Sequence, residues 1–407
     1  MTDPIAPAEP TAGPSRAETV RLVLILGSLS SFGPLSIDMY LPAFPSIAGD
    51  LHAGPSAVQL TLTACLVGLA VGQLVTGPLS DTLGRKRPLM VGLVLYVLLS
   101  VGCALAPSVG ALIGFRFLQA LGGGAGLVIA NAAARDRFSG TAMARFLSLL
   151  MLVNGIAPIV APVIGGQLLR FTSWRGVFWL LAAIGLLLVA VCGLWLAESL
   201  PPERRVPGRL PDTLRSYGSL LSTRLFLGYT LAAGCSFAAM FAYISGSSFV
   251  LQDIFGLSAQ QFSLVFAVNA LGIVTAGQLN GRVVGRFGPR RLLAVGLASA
   301  TVGGIGLLLA VLLGWGLPAV LIGLFLVVSS IGLVSPNGVA LAMADYPSMA
   351  GTAAALLGMA QTVIGGVVAP LVGLGGTATA VPMAVVISVL TVAGFAVFVL
   401  LTRISPN

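Results

Sequence analysis

The sequence predicts an all-α membrane protein of twelve transmembrane helices, arranged as two related six-helix halves. Three observations carry this. The 407-residue chain is 57% hydrophobic and only 8% charged, with a mean hydropathy of +1.03, whereas soluble domains carry about 25% charged residues. Its apolar runs have the ~20-residue length that a helix needs to cross a bilayer. Its basic residues alternate in a way that only an even number of spans reproduces.

Runs bounded by Gly, Pro and charges predict spans at 20–46, 56–79, 88–106, 110–133, 143–169, 174–196, 223–251, 260–284, 291–312, 316–342, 350–374 and 381–402. Lys and Arg accumulate in cytoplasmic loops. With both termini cytoplasmic, eighteen of the 21 basic residues fall inside, Arg170 and Arg175 fall outside, and Arg116 lies in the membrane. An extra or missing span would scramble this pattern. The formal charge of +9 therefore reflects topology, and nucleic acid is not an expected partner. Residues 1–18 read as a cytoplasmic tail, 19–196 as an N-terminal bundle, 197–222 as a cytoplasmic linker and 223–407 as a C-terminal bundle.

The halves repeat. Gly77-Pro-Leu-Ser-Asp81-Thr-Leu-Gly84-Arg85-Lys86-Arg87 follows helix 2, and Gly281-Arg-Val-Val-Gly285-Arg-Phe-Gly288-Pro289-Arg290-Arg291 follows helix 8, 204 residues later. Asp81 corresponds to Gly285. A second echo, Val160-Ala-Pro162-Val-Ile-Gly165 against Val368-Ala-Pro370-Leu-Val-Gly373, has an offset of 208.

Several chemistries find no support. Cys65, Cys103, Cys192 and Cys235 all lie in apolar runs without metal-ligand spacing, so they read as small buried hydrophobes. The single histidine, His52, sits in a loop, and no metal site or catalytic residue is predicted. The only lysine, Lys86, is not part of a Gly-x-x-x-x-Gly-Lys-Ser/Thr phosphate loop. No nucleotide or other cofactor is expected.

Asp38 and Arg116 are the charges placed deep inside apolar runs. A charge at mid-bilayer costs about 2.5 to 3.5 kcal/mol on insertion scales, so it normally faces a polar cavity or a partner. Burial in low dielectric disfavours the charged form of a carboxyl, which makes Asp38 the candidate proton carrier. Arg116 supplies a fixed positive charge that can bias a nearby acid. Whether the two touch is left open by the sequence, and a structural ion pair is the plainer alternative. For Asp38 to lie well inside the membrane, helix 1 should continue through Pro42 and Pro45.

The loop and helix 5 carry further candidates. Asp81 is one carboxylate beside Arg85, Lys86 and Arg87, and Gly77 and Gly84 permit close approach and tight turning. Pro158 and Pro162, one turn apart and followed by Gly165 and Gly166, should kink or soften helix 5.

With these residues in view, the chain resembles the major facilitator superfamily, and more narrowly its Bcr/CflA-type drug:proton antiporters. The strings that carry the resemblance are Ser36-Ile-Asp38-Met-Tyr40-Leu-Pro42, the Gly77–Arg87 loop, Arg116-Phe-Leu-Gln119-Ala-Leu-Gly122, Ile156–Gly166 and Phe241-Ala-Tyr243-Ile-Ser245-Gly246. Ala161 departs from the Gly that the family often has there. The resemblance implies a major facilitator fold and alternating access in the bacterial cytoplasmic membrane, with proton-coupled export of drug-like molecules. It implies a latch role for Asp81 and the Arg cluster, a proton-relay role for Arg116, and a proton or substrate role for Asp38. An exporter of an endogenous amino acid or sugar derivative is the alternative. The substrate cavity should be apolar and aromatic with a few polar points, and Met39, Tyr40, Gln119, Asn154, Phe237, Phe241, Tyr243, Asn269 and Gln361 are its candidates. A monomer is expected.

Overall fold

The computed structural model describes residues 16–138, 140–205, 223–344, 350–376 and 379–402. Most of the predicted tail, residues 206–222 of the predicted linker, and Arg209, Arg215 and Arg403 lie outside the described residues.

All twelve predicted spans are present. They are α1 (Thr19–Asp50), α2 (Pro55–Leu83), α3 (Lys86–Ala104), α4 (Val109–Arg137), α5 (Gly140–Leu168), α6 (Arg175–Trp195), α7 (Arg224–Ile254), α8 (Ala259–Phe287), α9 (Pro289–Leu312), α10 (Leu317–Met343), α11 (Ala350–Val368) and α12 (Val381–Leu401). Tight 3₁₀ turns carry α11 on to Gly375. The boundaries follow local chemistry. Pro opens α2, α9 and α10 within the first turn, where its missing N–H costs nothing. Ser258 caps α8, its side chain taking the Gln261 N–H while Gln261 takes the Ser258 N–H.

The helices form two bundles, and lipid gives no hydrophobic reason for them to associate. Close backbone approach across small residues supplies packing energy instead. Gly92 of α3 lies against Gly122 of α4, and Gly303 of α9 against Gly323 of α10, so corresponding helix pairs of the two halves use the same device. Large apolar side chains point outward, among them Val91, Leu98, Leu187, Leu264 and Val302, as expected where the solvent is hydrocarbon.

The turns that join α2 to α3 and α8 to α9 mark one end of the molecule, here the basic end. Gly84 (φ 87°) and Gly288 (φ 77°) hold positive φ in equivalent positions, the left-handed region that favours glycine. Between the halves, α2 meets α11 and α5 meets α8. The cross-half hydrogen bonds among the described residues lie toward the opposite end. Ser56 donates to the Pro370 carbonyl (3.2 Å), Gln59 to Ser245 (3.1 Å), Thr63 to Gly366 (2.9 Å), and Gln260 to Gly166 (2.7 Å). Ser248 and Gln252 of α7 donate to the Leu41 and Pro42 carbonyls of α1, at 2.7 and 3.2 Å.

α1 departs from expectation. The span does continue past Pro42 and Pro45, but not as an unbroken helix. A helical segment ends at Asp38, a 3₁₀ turn covers Leu41–Ala43, and α-helix resumes over Phe44–Asp50. Pro42 cannot donate to the Asp38 carbonyl, nor Pro45 to that of Leu41. The Leu41 carbonyl is the one that Ser248 takes up. By contrast α5 remains one continuous helix through Pro158 and Pro162.

Candidate functional site

Asp38 sits at the point where α1 breaks. Its side chain is buried, and among the described residues no ion pair or hydrogen bond reaches its carboxylate. Tyr243 accepts a hydrogen bond from Asn269 Nδ2 (2.9 Å) and stacks on Phe266 of α8, with ring centroids 5.5 Å apart.

Arg116 is wholly buried on α4, and it does not pair with Asp38. Its Nη2 donates to the Ser36 carbonyl (2.8 Å) and its Nη1 to Gln119 Oε1 (2.7 Å). Ser36 is among the last residues before the break, where carbonyls lack an intrahelical donor, so Arg116 acts as a charged cap on the first part of α1. The guanidinium also lies 4.2 Å from the Tyr40 ring centroid and 5.6 Å from that of Phe178, a favourable placement for a cation without a carboxylate. Gln119 Nε2 donates to Ser100 Oγ (2.6 Å), Ser100 donates to the Tyr96 carbonyl (2.7 Å), and the Tyr96 hydroxyl bonds Ser36 Oγ (2.6 Å). The result is a closed circuit through α1, α3 and α4.

The structure distributes the predicted substrate residues unevenly. Met39 and Tyr40 are buried beside the break, with Tyr40 Oη 3.2 Å from Thr61 Oγ1. Gln119 has both ends of its amide engaged and is fully buried, so here it serves Arg116 rather than a cavity wall. Asn154 donates to Ser30 of α1 (3.2 Å). Phe237 and Phe241 form a ring pair 5.0 Å apart on α7, and Gln361 is buried on α11. Gly165 and Gly166 lie where α5 packs: a Cβ on Gly165 would collide with the Met39 carbonyl, and one on Gly166 with Ser263 of α8. These glycines admit neighbours, while the two prolines leave the helix intact.

At the basic end, Arg85 Nη1 reaches Asp81 (2.5 Å) and Ser80 (2.7 Å), and its Nε reaches Asp136 of α4 (3.0 Å). Glu198, just past α6, accepts the backbone N–H groups of Arg85 (2.8 Å) and Lys86 (3.1 Å). Partial burial raises its affinity for a proton, but the backbone donors of Leu200, Arg85, Lys86 and Ser199 outweigh that and hold the carboxyl below its usual range. Lys86 Nζ donates to the Gly193 carbonyl (2.8 Å), and Arg87 is exposed. All these contacts stay within the first half. Gly84 is confined by Glu198 and Arg205, whereas nothing lies within 4 Å of a Cβ on Gly77, so close helix approach is not its role here. Gly77, Asp81, Arg85 and Asp136 instead line a cavity of about 280 Å³ that opens at this end.

Sequence reasoning missed Ser36, Tyr96, Ser100, Ser248 and Gln252. Tyr96 and Ser100, four residues apart on one face of an apolar helix, were the available signal.

Comparison with known proteins bears on this site. The sequence profile of the Major Facilitator Superfamily matches residues 26–370. An uncharacterized MFS-type transporter of Bacillus subtilis, YdgK, is 43% identical over 96% of this chain and 97% of its own length. A bicyclomycin resistance protein homolog of Haemophilus influenzae is 36% identical over 91% and 95%, and a chloramphenicol resistance protein of Pseudomonas aeruginosa 33% over 82% and 79%. Among solved structures, the nucleoside transporter NupG superposes with a TM-score of 0.79 at 12% identity, covering 95% of this chain and all of that one.

Proposed function

Because the chain belongs to the major facilitator superfamily, and within it to the Bcr/CflA-type drug-efflux branch, we propose that it exports drug-like small molecules across the bacterial cytoplasmic membrane in exchange for protons, by alternating access. The observation that carries the proposal is Asp38: a buried carboxylate with no ion-pair or hydrogen-bond partner among the described residues, at a break in α1, one turn before the carbonyls that join α1 to α7.

In this reading both termini are cytoplasmic and the basic end faces the cytoplasm. The hydrogen bonds of Leu41, Pro42, Gln59, Thr63 and Gly166 to the second half then close the outer side, and the described state opens inward. Cargo enters between the halves and meets Met39, Tyr40, Phe241 and the Tyr243–Asn269 pair. Arg116 holds the Ser36 carbonyl whether or not Asp38 is charged. It fixes the inner segment of α1 while the segment beyond the break responds. A proton arriving at Asp38 removes a charge at the junction of the two segments, and its departure restores one, which ties gate geometry to proton occupancy. When the basic end closes, Asp81 and the Arg85 cluster are positioned to meet the second half and act as the latch. The proton gradient is the energy source, no nucleotide takes part, and the protein works as a monomer.

The test uses inside-out vesicles with an acid interior, following dissipation of the gradient as antibiotics are added. Drug-triggered proton efflux is expected from the wild type and should fall to background in Asp38→Asn. Equal efflux from both proteins would move the proton site away from Asp38. Absence of efflux from the wild type, in cells that still exclude the same drugs, would reject proton antiport.

A further inference from the structure

The exposed face of α8 is a single stripe. Leu264, Val268 and Leu271 are more than half exposed, Leu279 is 51% exposed, and Arg282 and Arg286 continue the line. The spacing of three, four and eight residues keeps these side chains on one side of the helix, opposite the buried Phe262, Phe266, Asn269 and Asn280. Large apolar side chains presented outward in a bilayer face lipid, so the two arginines extend a lipid-facing stripe. From Leu264 to Arg286 the helix rises about 33 Å at ~1.5 Å per residue, close to the ~30 Å hydrocarbon thickness. That sets Arg282 and Arg286 at headgroup depth. Arg291 does the same at the start of α9, exposed one turn before Val295, which is 56% exposed and begins the outward stripe of that helix.

The first half shows what is distinctive here. At the offset of 204 residues, Arg282 and Arg286 correspond to Pro78 and Thr82, and the exposed face of α2 ends in the uncharged Leu79, Thr82 and Leu83. The first half's Arg85 is neutralised by Asp81 and Asp136. Among the described residues, no carboxylate pairs with Arg282, Arg286 or Arg291. Their neighbours Arg224 and Arg290 are spent on the carbonyls of Leu400 and Thr402. Topology alone needs basic residues at this end, but it does not need them on the lipid-facing stripes.

We propose that Arg282, Arg286 and Arg291 form a surface on the second half that binds the headgroups of anionic phospholipids in the adjoining leaflet; the first half has the exposed Arg87 as the counterpart of Arg291 but no cation at the places of Arg282 and Arg286. The three cations match phosphodiester oxygens by charge and by guanidinium geometry, and a juxtamembrane basic residue contributes about 1 kcal/mol toward an anionic surface, roughly fivefold in affinity. The surface lies outside the cargo path and does not depend on the proposed transport reaction.

The experiment reconstitutes the full-length protein in phosphatidylcholine vesicles and measures by electron spin resonance how spin-labelled phosphatidylglycerol associates relative to spin-labelled phosphatidylcholine. Wild type should prefer phosphatidylglycerol by about fivefold or more. R282Q/R286Q/R291Q should bring the ratio close to one, while R282K/R286K/R291K and R87Q should keep a preference. If the triple glutamine variant does not fold, the single R286Q change should still lower the ratio. A wild type without preference, an unchanged ratio in the glutamine variants, or loss of the preference on adding millimolar inorganic phosphate at constant ionic strength would each overturn the assignment, the last by showing a site for free anions.

Discussion

The two halves descend from one plan and spend their polar groups differently. The first half buries a cation and surrounds it with a hydrogen-bonded circuit, Arg116, Gln119, Ser100, Tyr96 and Ser36. The second half has the buried Val320 at the place that the repeat offset assigns to Arg116, and its buried side-chain contacts include neutral pairs such as Asn337 Nδ2 donating to Asn280 Oδ1 at 2.6 Å. At the basic end the first half pairs Arg85 with two carboxylates, whereas among the described residues no carboxylate pairs with Arg282, Arg286 or Arg291. The repeated scaffold has become one half braced around a buried cation and another that, among its described residues, buries none.

The largest test of this contrast is at Arg116. Arg116→Ala strands the Ser36 carbonyl and Gln119, and hydrogen bonds to a charged group are worth about 1.5 to 3 kcal/mol each. Arg116→Lys keeps the charge but not the fork. Both should lower the thermal midpoint of the purified protein clearly, Ala more than Lys. Asn280→Ala in the second half should cost only about 1 kcal/mol. Comparable losses in the two halves would remove the asymmetry.

A smaller effect is expected at the turns. Gly84→Ala and Gly288→Ala both force a side chain into positive φ, at about 1 kcal/mol. Only Gly84 also meets Glu198 and Arg205, whereas nothing lies within 4 Å at Gly288. Denaturation midpoints should therefore fall further for Gly84→Ala, and equal shifts would mean that Glu198 yields freely.

The smallest effect concerns acid. Asp50, at the exposed end of α1, is held below the ordinary carboxylate range by Arg175 and then by the Trp174 indole, as Glu198 is by backbone donors. A depressed value means that the contribution to stability is complete above the unfolded value, about 4, and is lost as pH falls through the folded one. Both groups belong to the first half. Asp50→Asn and Glu198→Gln should lower the thermal midpoint slightly at neutral pH and flatten its fall below about pH 4.

Much of the architecture was legible because bilayer thickness and backbone satisfaction leave a hydrophobic run few choices. The twelve spans, the repeat and the burial of Asp38 and Arg116 all follow from placing apolar and charged residues along one line. Partners across helices were not legible. Gln119 reads like a cavity residue until the rotation of α3 brings Ser100 beside it, and Gly165 reads like a hinge until α1 is found against it. The break at Asp38 was half visible: Pro42 and Pro45 announce that two carbonyls lose their donors, but not that Ser248 on α7 would take one of them.

That bond has a bearing on how the protein can change under selection. On the α1 side the acceptors are main-chain carbonyls of Leu41 and Pro42, which no side-chain substitution deletes. Point mutations that retune this junction must arise on α7, at Ser248 or Gln252, or at the prolines that set the path of the α1 chain. Substitution can thus vary one face of the contact while the other stays fixed by the backbone.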